Sequence, residues 1–178
     1  MNMIKKIQSI VLYLGIHIQR QFYQLKREIT GEPEASKTMV TPQLYVGGAY
    51  RLRGLQRLKE WGVAAVVNMR EKSFQQASHA DWLDYLHLPT PDLTPPSIEK
   101  LGAGVAFIQR HVSNGGKVYV HCRWGEGRGP SMAAAYLMST GMTLEESLQL
   151  IKQTRSFIRL SKSQLEQLQK YEIYLNKS

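Results

Sequence analysis

Apolar residues at positions 4, 7, 11, 14, 18, 22, 25 and 29 recur in alternating steps of three and four, the stripe of one long helix over residues 1–30. Glu32 and Pro33 end it. Its middle, IVLYLGIHI from Ile10 to Ile18, is apolar nearly all round, but the run from Ile7 to Ile18 falls short of the ~20 residues a bilayer core requires. Lys5 and Lys6 resemble the start of a secretory leader, yet Gln8, Ser9 and His17 break the apolar run and no A-x-A cleavage pattern follows. Neither a spanning helix nor a signal peptide is expected. The stripe has three readings: it packs on the rest of the chain, it pairs with another copy, or it lies in a membrane interface with its lysines toward anionic headgroups.

Gly31 to Thr41, containing GEPEASKT, reads as a polar linker, and a compact domain is expected over residues 42–178. Gln43 to Gly48 (QLYVGG) reads as a strand, and Arg51 to Trp61 as a helix with its stripe at Leu52, Leu55 and Leu58. Val63 to Met69 (VAAVVNM) is a short continuous apolar run suited to a buried strand, and Trp82 to Leu88 suits another. Ser97, followed by Ile98, Leu101, Val105 and Ile108 at helical spacing, opens a helix that Asn114-Gly115-Gly116 closes. Lys117 to His121 is again a strand. Pro130 suits the first turn of the next helix, which AAAYLM carries to Gly141. Thr143 with Glu146, and Ser161, start two more helices, reaching Gln153 and about Leu175. This alternation predicts an α/β fold: a central, largely parallel sheet flanked by helices, with an extra N-terminal helix. Ligands of such sheets bind beyond the carboxyl ends of the strands.

Composition narrows the class. A chain of 178 residues with 43% hydrophobic content suits one globular domain with an appendage. Its single cysteine rules out intrachain disulfides and favours a reducing compartment, so the expected location is cytoplasmic, with peripheral contact at the inner membrane face through residues 1–30. The net charge of +9 gathers at the two ends. Residues 1–30 hold five Lys/Arg against one acid, and residues 151–178 hold six against two, each net +4. Such charge concentrates anions. No zinc-finger spacing, RNA-binding aromatic signature or basic zipper accompanies it, so nucleic acid is not an expected partner. His17, His79, His87 and His111 show no ligand spacing, and no metal is assigned.

The lone thiol lies in VYVHCRWGEGRGPSMAAAYLM, Val118 to Met138, just past a strand and just before a helix. A loop wrapped between a strand end and a helix N-terminus offers successive backbone N–H groups to one point, a nest for a tetrahedral dianion. Gly125 and Gly127 are expected to supply positive φ. Arg128, at the far rim, can hold two oxygens with its planar fork. The same field favours the thiolate form of Cys122, a nucleophile aimed into a phosphate site. Attack on phosphorus requires a proton for the leaving alcohol. Asp92, in the stiff loop PTPDLTPP and 30 positions before Cys122, can return to the same sheet edge and is the leading acid; Asp81 and Asp84 are the alternatives. Arg155 and Arg159 are read mainly as solvated helix-end charges that can also meet substrate anions. Asn68 and Arg70 are candidates to brace the strand end, and Trp124 either lines the mouth or packs.

The run HCRWGEGR resembles the H-C-x5-R signature of the cysteine-dependent protein tyrosine and dual-specificity phosphatases, with strand, loop, helix and upstream Asp loop in the family order. The tail RSFIRLSKSQLEQL with VYVHC and AAAYLM is similar to the phosphatidylglycerophosphate phosphatases of mitochondria and bacteria, and PTPD to atypical dual-specificity enzymes. The resemblance implies a three-layer protein tyrosine phosphatase-like sandwich, catalysis without metal or cofactor, and a phosphocysteine intermediate. It implies Cys122 as nucleophile, Arg128 as phosphate clamp, Asp92 as general acid and base, and Arg123, Trp124, Gly125, Glu126, Gly127 and Arg128 as the phosphate-binding loop. His121 then supports the thiolate. The family usually has Ser or Thr after the arginine; Gly129 stands there, and Ser131 is the candidate to replace its hydroxyl. Implied substrates are phosphorylated proteins, lipid phosphates such as phosphatidylglycerophosphate, or small molecules. Two other readings stay open: a phosphate-binding pseudophosphatase and a rhodanese-like sulfurtransferase.

Overall fold

The computed structural model describes residues 3–73 and 80–177, so His79 lies outside the described residues. Four parallel strands, β1 (Leu44–Gly47), β2 (Val63–Asn68), β3 (Asp84–His87) and β4 (Lys117–His121), form one sheet in the order β1-β4-β2-β3. The helices are α1 (Met3–Thr30), α2 (Leu52–Glu60), α3 (Ile98–Ser113), α4 (Arg128–Ser139), α5 (Leu144–Thr154) and α6 (Lys162–Leu175). Successive strand residues point to opposite faces, and both faces are covered. Leu44, Val46, Ala65, Val67, Val118 and Val120 pack in the cluster that α3 to α6 complete. Tyr45, Val66 and Tyr119 meet Leu58 of α2 on the other face. The result is the expected three-layer sandwich.

Two features of this frame build the site. β4 runs between β1 and β2, so Cys122 emerges at the centre of the sheet's carboxyl edge. α4 is buried from Arg128 to Met138, and small alanines let it pass through the middle of the helical layer. Its N-terminus therefore points at the loop after β4. α4 begins at Arg128, two residues before Pro130; the proline still falls in the first turn, where no intrahelical N–H bond is lost. Ser97 caps α3, and Thr143 and Ser161 form capping boxes on α5 and α6.

Residues 31–41, read as a polar linker, pack against the domain. Ala35–Lys37 form a 3-10 turn, the Thr38 hydroxyl donates to Glu34 O at 2.8 Å, and Thr38 O accepts from Val46 N at 2.7 Å. Short polar side chains that bond the local backbone let this segment pack, with Thr38 and Val40 buried.

The orientation of α1 reverses the usual amphipathic rule. Its inward residues are Tyr23, Gln24 and Arg27, whereas Ile4, Ile7, Val11, Leu14, Ile18, Phe22, Leu25 and Ile29 are 51–72% exposed. The domain meets α1 with backbone carbonyls and a carboxylate, so polar side chains are what bind there: Arg27 donates to Ala49 O and Gln24 Nε2 to Trp124 O at 3.0 Å. The apolar stripe therefore runs unpartnered along a helix of 28 residues, ~42 Å long. No helix among the described residues is long and apolar enough to cross a membrane.

Candidate active site

The loop after β4 is shaped by what holds its carbonyl groups. Arg123 O accepts from Ala49 N at 3.0 Å, Trp124 O from Gln24 Nε2 and Arg155 Nη2, Gly125 O from Arg155 Nε at 3.0 Å, and Glu126 O from Arg159 N at 2.7 Å. Gly127 O accepts from Ser131 N at 2.8 Å and Ser131 Oγ at 3.0 Å. In a trans peptide each carbonyl points away from the N–H that follows it. Carbonyls fastened outward thus turn the amides of residues 124–128 inward, toward the thiol. Gly125 N–H reaches Cys122 Sγ at 3.2 Å. Gly125 has φ +71°, and a Cβ there would lie 2.4 Å from the Gly47 backbone. Gly127 departs from expectation: its φ is −122°, and a Cβ there would lie 2.8 Å from Gln164 Oε1.

Arg128 and Asp92 close the cradle. Arg128 Nη1 donates to Thr90 O at 2.8 Å, and Nη2 pairs with Asp92 Oδ1 at 2.8 Å. Among the described residues, Arg128 Nε is a buried donor without a partner. The loop carrying Asp92 is itself anchored: Ser161 Oγ bonds Leu93 O at 3.0 Å, Gln164 Nε2 bonds Thr94 O at 3.0 Å, and Leu93 holds φ +62°. A cavity of about 470 Å³ is lined by Cys122, Asp92, Arg128, Trp124 and Glu126, with Arg20 and Arg159 on its wall. Its surroundings are strongly cationic. Burial, then the charges of Arg123 and Arg128, push the Arg70 guanidinium below its usual value. The alternative acid Asp84 is engaged elsewhere, with Arg110 at 3.0 Å and His111 at 2.9 Å.

The family model for the dual specificity phosphatase catalytic domain matches residues 44–174. The chain belongs to that family. This dual specificity phosphatase is 34% identical over 135 residues to the human "Phosphatidylglycerophosphatase and protein-tyrosine phosphatase 1", covering 70% of this chain and 67% of the relative. It is 31% identical over 136 residues to "Dual specificity protein phosphatase 1-A" of Xenopus laevis, covering 75% of this chain and 36% of that protein. Among solved structures, PTPMT1 superposes with TM-score 0.73 at 27% identity over 79% of this chain and 96% of the other, and human DUSP28 with TM-score 0.70 at 26% identity over 79% and 98%. The chain is accordingly a cysteine-dependent phosphatase with the expected protein tyrosine phosphatase-like fold, and the sulfurtransferase reading is set aside.

Several residues of this phosphatase escaped sequence reasoning. Arg155, read as a solvated helix end, is fully buried between the Tyr23 and Phe157 rings, and its guanidinium also bonds the Lys37 carbonyl. It is a brace beneath the loop after β4. Arg20 and Gln24 of α1 bind Glu126: Arg20 Nε lies 2.8 and 2.9 Å from its two oxygens, and Gln24 Nε2 lies 2.7 Å from Oε1. Trp124 is half-buried on the cavity wall between the guanidinium groups of Arg27 and Arg123, so its two readings hold together. Asn68 Nδ2 donates to Tyr85 at 2.7 Å, and its Oδ1 accepts from Arg70 N at 2.8 Å, bracing the strand end. The Ser131 hydroxyl is occupied by Gly127 O. A Cβ on Gly129 would meet Cys122 N at 3.4 Å, ordinary contact, so that position has room for a side chain.

His121 is buried between aromatic rings, with Nδ1 3.3 Å from Cys122 O. Burial pushes its pKa down to about 3 from 6.5; the bond to the Cys122 carbonyl opposes this, and the Arg70 charge adds to it. The ring is therefore neutral near pH 7 and acts on the loop only through hydrogen bonding. Because the folded value lies below the unfolded one, protonation favours the unfolded chain. The stabilisation is complete above pH 6.5 and is lost as pH falls toward 3, with a limiting slope of about 1.4 kcal/mol per pH unit. His121→Gln should flatten the melting temperature against pH in that window. Parallel curves for the two proteins would contradict this assignment.

Proposed function

We propose that this phosphatase hydrolyses a phosphomonoester presented at a membrane surface, with a lipid phosphate of the phosphatidylglycerophosphate kind as substrate. Cys122 attacks phosphorus, forming an S–P bond as the bond to the leaving oxygen breaks, and Asp92 supplies the proton to that oxygen. Water then attacks the phosphocysteine, with Asp92 taking its proton, and free phosphate and the thiolate are released. Arg128 and the amides of residues 124–128 hold the phosphoryl oxygens, and His121 supports the loop. The domain over residues 42–178 carries Cys122, Arg128 and Asp92, and α1 brings it to its substrate.

One observation carries the membrane reading: α1 turns its apolar stripe outward while Arg20 of the same helix lines the catalytic cavity. A surface that docks this stripe lies beside the site. The occupant we assign is an anionic bilayer. Lys5 and Lys6 are exposed and residues 1–27 hold no acid, so pairing two copies through α1 in parallel would bring like charges together, whereas an acidic lipid surface complements them. The name of the human relative, at 34% identity, supports the same substrate class and also a phosphotyrosine protein.

The test uses Ile7→Ser, Leu14→Ser and Ile18→Ser together, three exposed positions. Flotation with vesicles containing phosphatidylglycerol should retain the wild type and release the variant, and hydrolysis of vesicle-borne phosphatidylglycerophosphate should fall at least about tenfold, since each buried apolar side chain is worth roughly 1.5–3 kcal/mol. Activity on a soluble phosphotyrosine peptide should be retained. Equal losses on both substrates would contradict the membrane reading, and a wild type that is dimeric but indifferent to vesicles would assign the stripe to a second copy.

A further inference from the structure

Glu126 places an acid inside a loop whose task is to receive a dianion. It is buried, lies four residues after Cys122 and lines the same cavity. An anion at that position opposes phosphate entry unless its charge is balanced from outside the loop. The balancing group comes from α1: Arg20 Nε is 2.8 Å from one Glu126 oxygen and 2.9 Å from the other, and Gln24 completes the carboxylate's bonding at 2.7 Å. We infer that Arg20 is a positioning and charge-compensating residue of the phosphate site, acting through Glu126 to let the loop accept a dianion. This rests on the reading of the Cys122 loop as the phosphate site.

The arrangement has a use. The Arg20–Glu126 pair and the Gln24 bonds fasten α1 to the loop, since Gln24 also holds Trp124 O. The carboxylate serves as the anchor point, and the arginine cancels its effect on the ligand. The helix is thus joined to catalysis by a charge pair that spans 106 residues of sequence. Removal of residues 1–30 would expose the Glu126 charge and slow every substrate, soluble ones included.

The decisive measurement is a double-mutant cycle read by tungstate binding, followed through intrinsic tryptophan fluorescence, and by kcat and KM on a small aryl phosphate. Arg20→Gln keeps a hydrogen-bonding side chain while deleting the charge. It should weaken tungstate binding and raise KM at least about tenfold, with the penalty shrinking at high salt. Arg20→Lys should stay within about threefold of wild type, because the charge remains. In a Glu126→Gln background the Arg20→Gln penalty should fall below about threefold, since no anion is left to balance. Gln24→Ala breaks a bond to the same carboxylate without changing charge, so it should shift tungstate affinity less than Arg20→Gln. An unchanged affinity in Arg20→Gln would overturn the proposal. An undiminished penalty in the Glu126→Gln background would also overturn it, assigning Arg20 to direct substrate contact. Tungstate titration requires no turnover, so a failed catalytic mechanism and a failed role for Arg20 give different results.

Discussion

Replacing Cys122 by serine should lower turnover by a factor of at least ~10⁴ while tungstate binding persists. The thiol has one hydrogen bond from the loop, Gly125 N–H at 3.2 Å, and lies under the inward amides. Serine is nearly isosteric, so the cradle and Arg128 keep their positions. What changes is the nucleophile, since a hydroxyl without a base beside it is a poor attacker of phosphorus. His121 cannot serve as that base by accepting the proton, because burial holds its ring neutral down to about pH 3. A large loss of kcat with an intact oxyanion affinity therefore separates chemistry from binding. Comparable losses of both would mean that the substitution had collapsed the loop.

Asp92→Ala should produce a different pattern. General acid catalysis contributes typically ~10²–10⁴-fold, and kcat on an alkyl phosphate should fall within that range. Asp92 Oδ1 also occupies Arg128 Nη2 at 2.8 Å, so a phosphoryl oxygen competes with the carboxylate for that donor. Removing it frees that donor. Oxyanion affinity should thus be unchanged or tighter, with KM no higher than in the wild type. A substrate whose leaving group departs without a proton, such as a nitrophenyl phosphate, should lose much less. An equal loss for alkyl and nitrophenyl leaving groups would remove Asp92 from the proton-transfer role and leave it only the electrostatic contact with Arg128.

The parts of the molecule that were legible in the sequence are those set by local pattern. Period and capping residues placed the four strands and six helices among the described residues to within a few positions, because Ser97, Thr143 and Ser161 act on the N–H groups nearest them. The convergence of Cys122, Arg128 and Asp92 on one cavity was legible because a strand end, a glycine-bearing loop and a proline-bracketed acid leave few other arrangements. The supports of the loop were not. Arg155 caps the C-terminus of α5, and Arg20 and Gln24 come from a helix 100 or so residues upstream, so no local spacing connects them to Glu126 or Gly125. Their polarity also pointed the wrong way, since charged residues are read as solvated. α1 is the strongest case: the sequence stripe announced amphipathicity correctly, but which face turns inward depends on what the domain offers. It offers the carbonyls of Ala49 and Trp124 and the Glu126 carboxylate. Gly127 illustrates the same limit at one residue, where φ is not positive and a Cβ would meet Gln164 of α6.

Gly129 bears on rate. Family resemblance implies a hydroxyl at this position that helps the thiolate leave, and Ser131, the candidate replacement, is bonded to Gly127 O. We propose that the second step is the slow one, so phosphocysteine should accumulate during turnover. Rapid-quench analysis of the wild type with an aryl phosphate is the decisive test of the phosphocysteine pathway. A burst of leaving group of about one equivalent per enzyme is expected, with one phosphoryl group on the peptide containing Cys122 and none in Cys122→Ser. Steady turnover in which no phosphoryl group is ever found on Cys122, with activity surviving in Cys122→Ser, would contradict it.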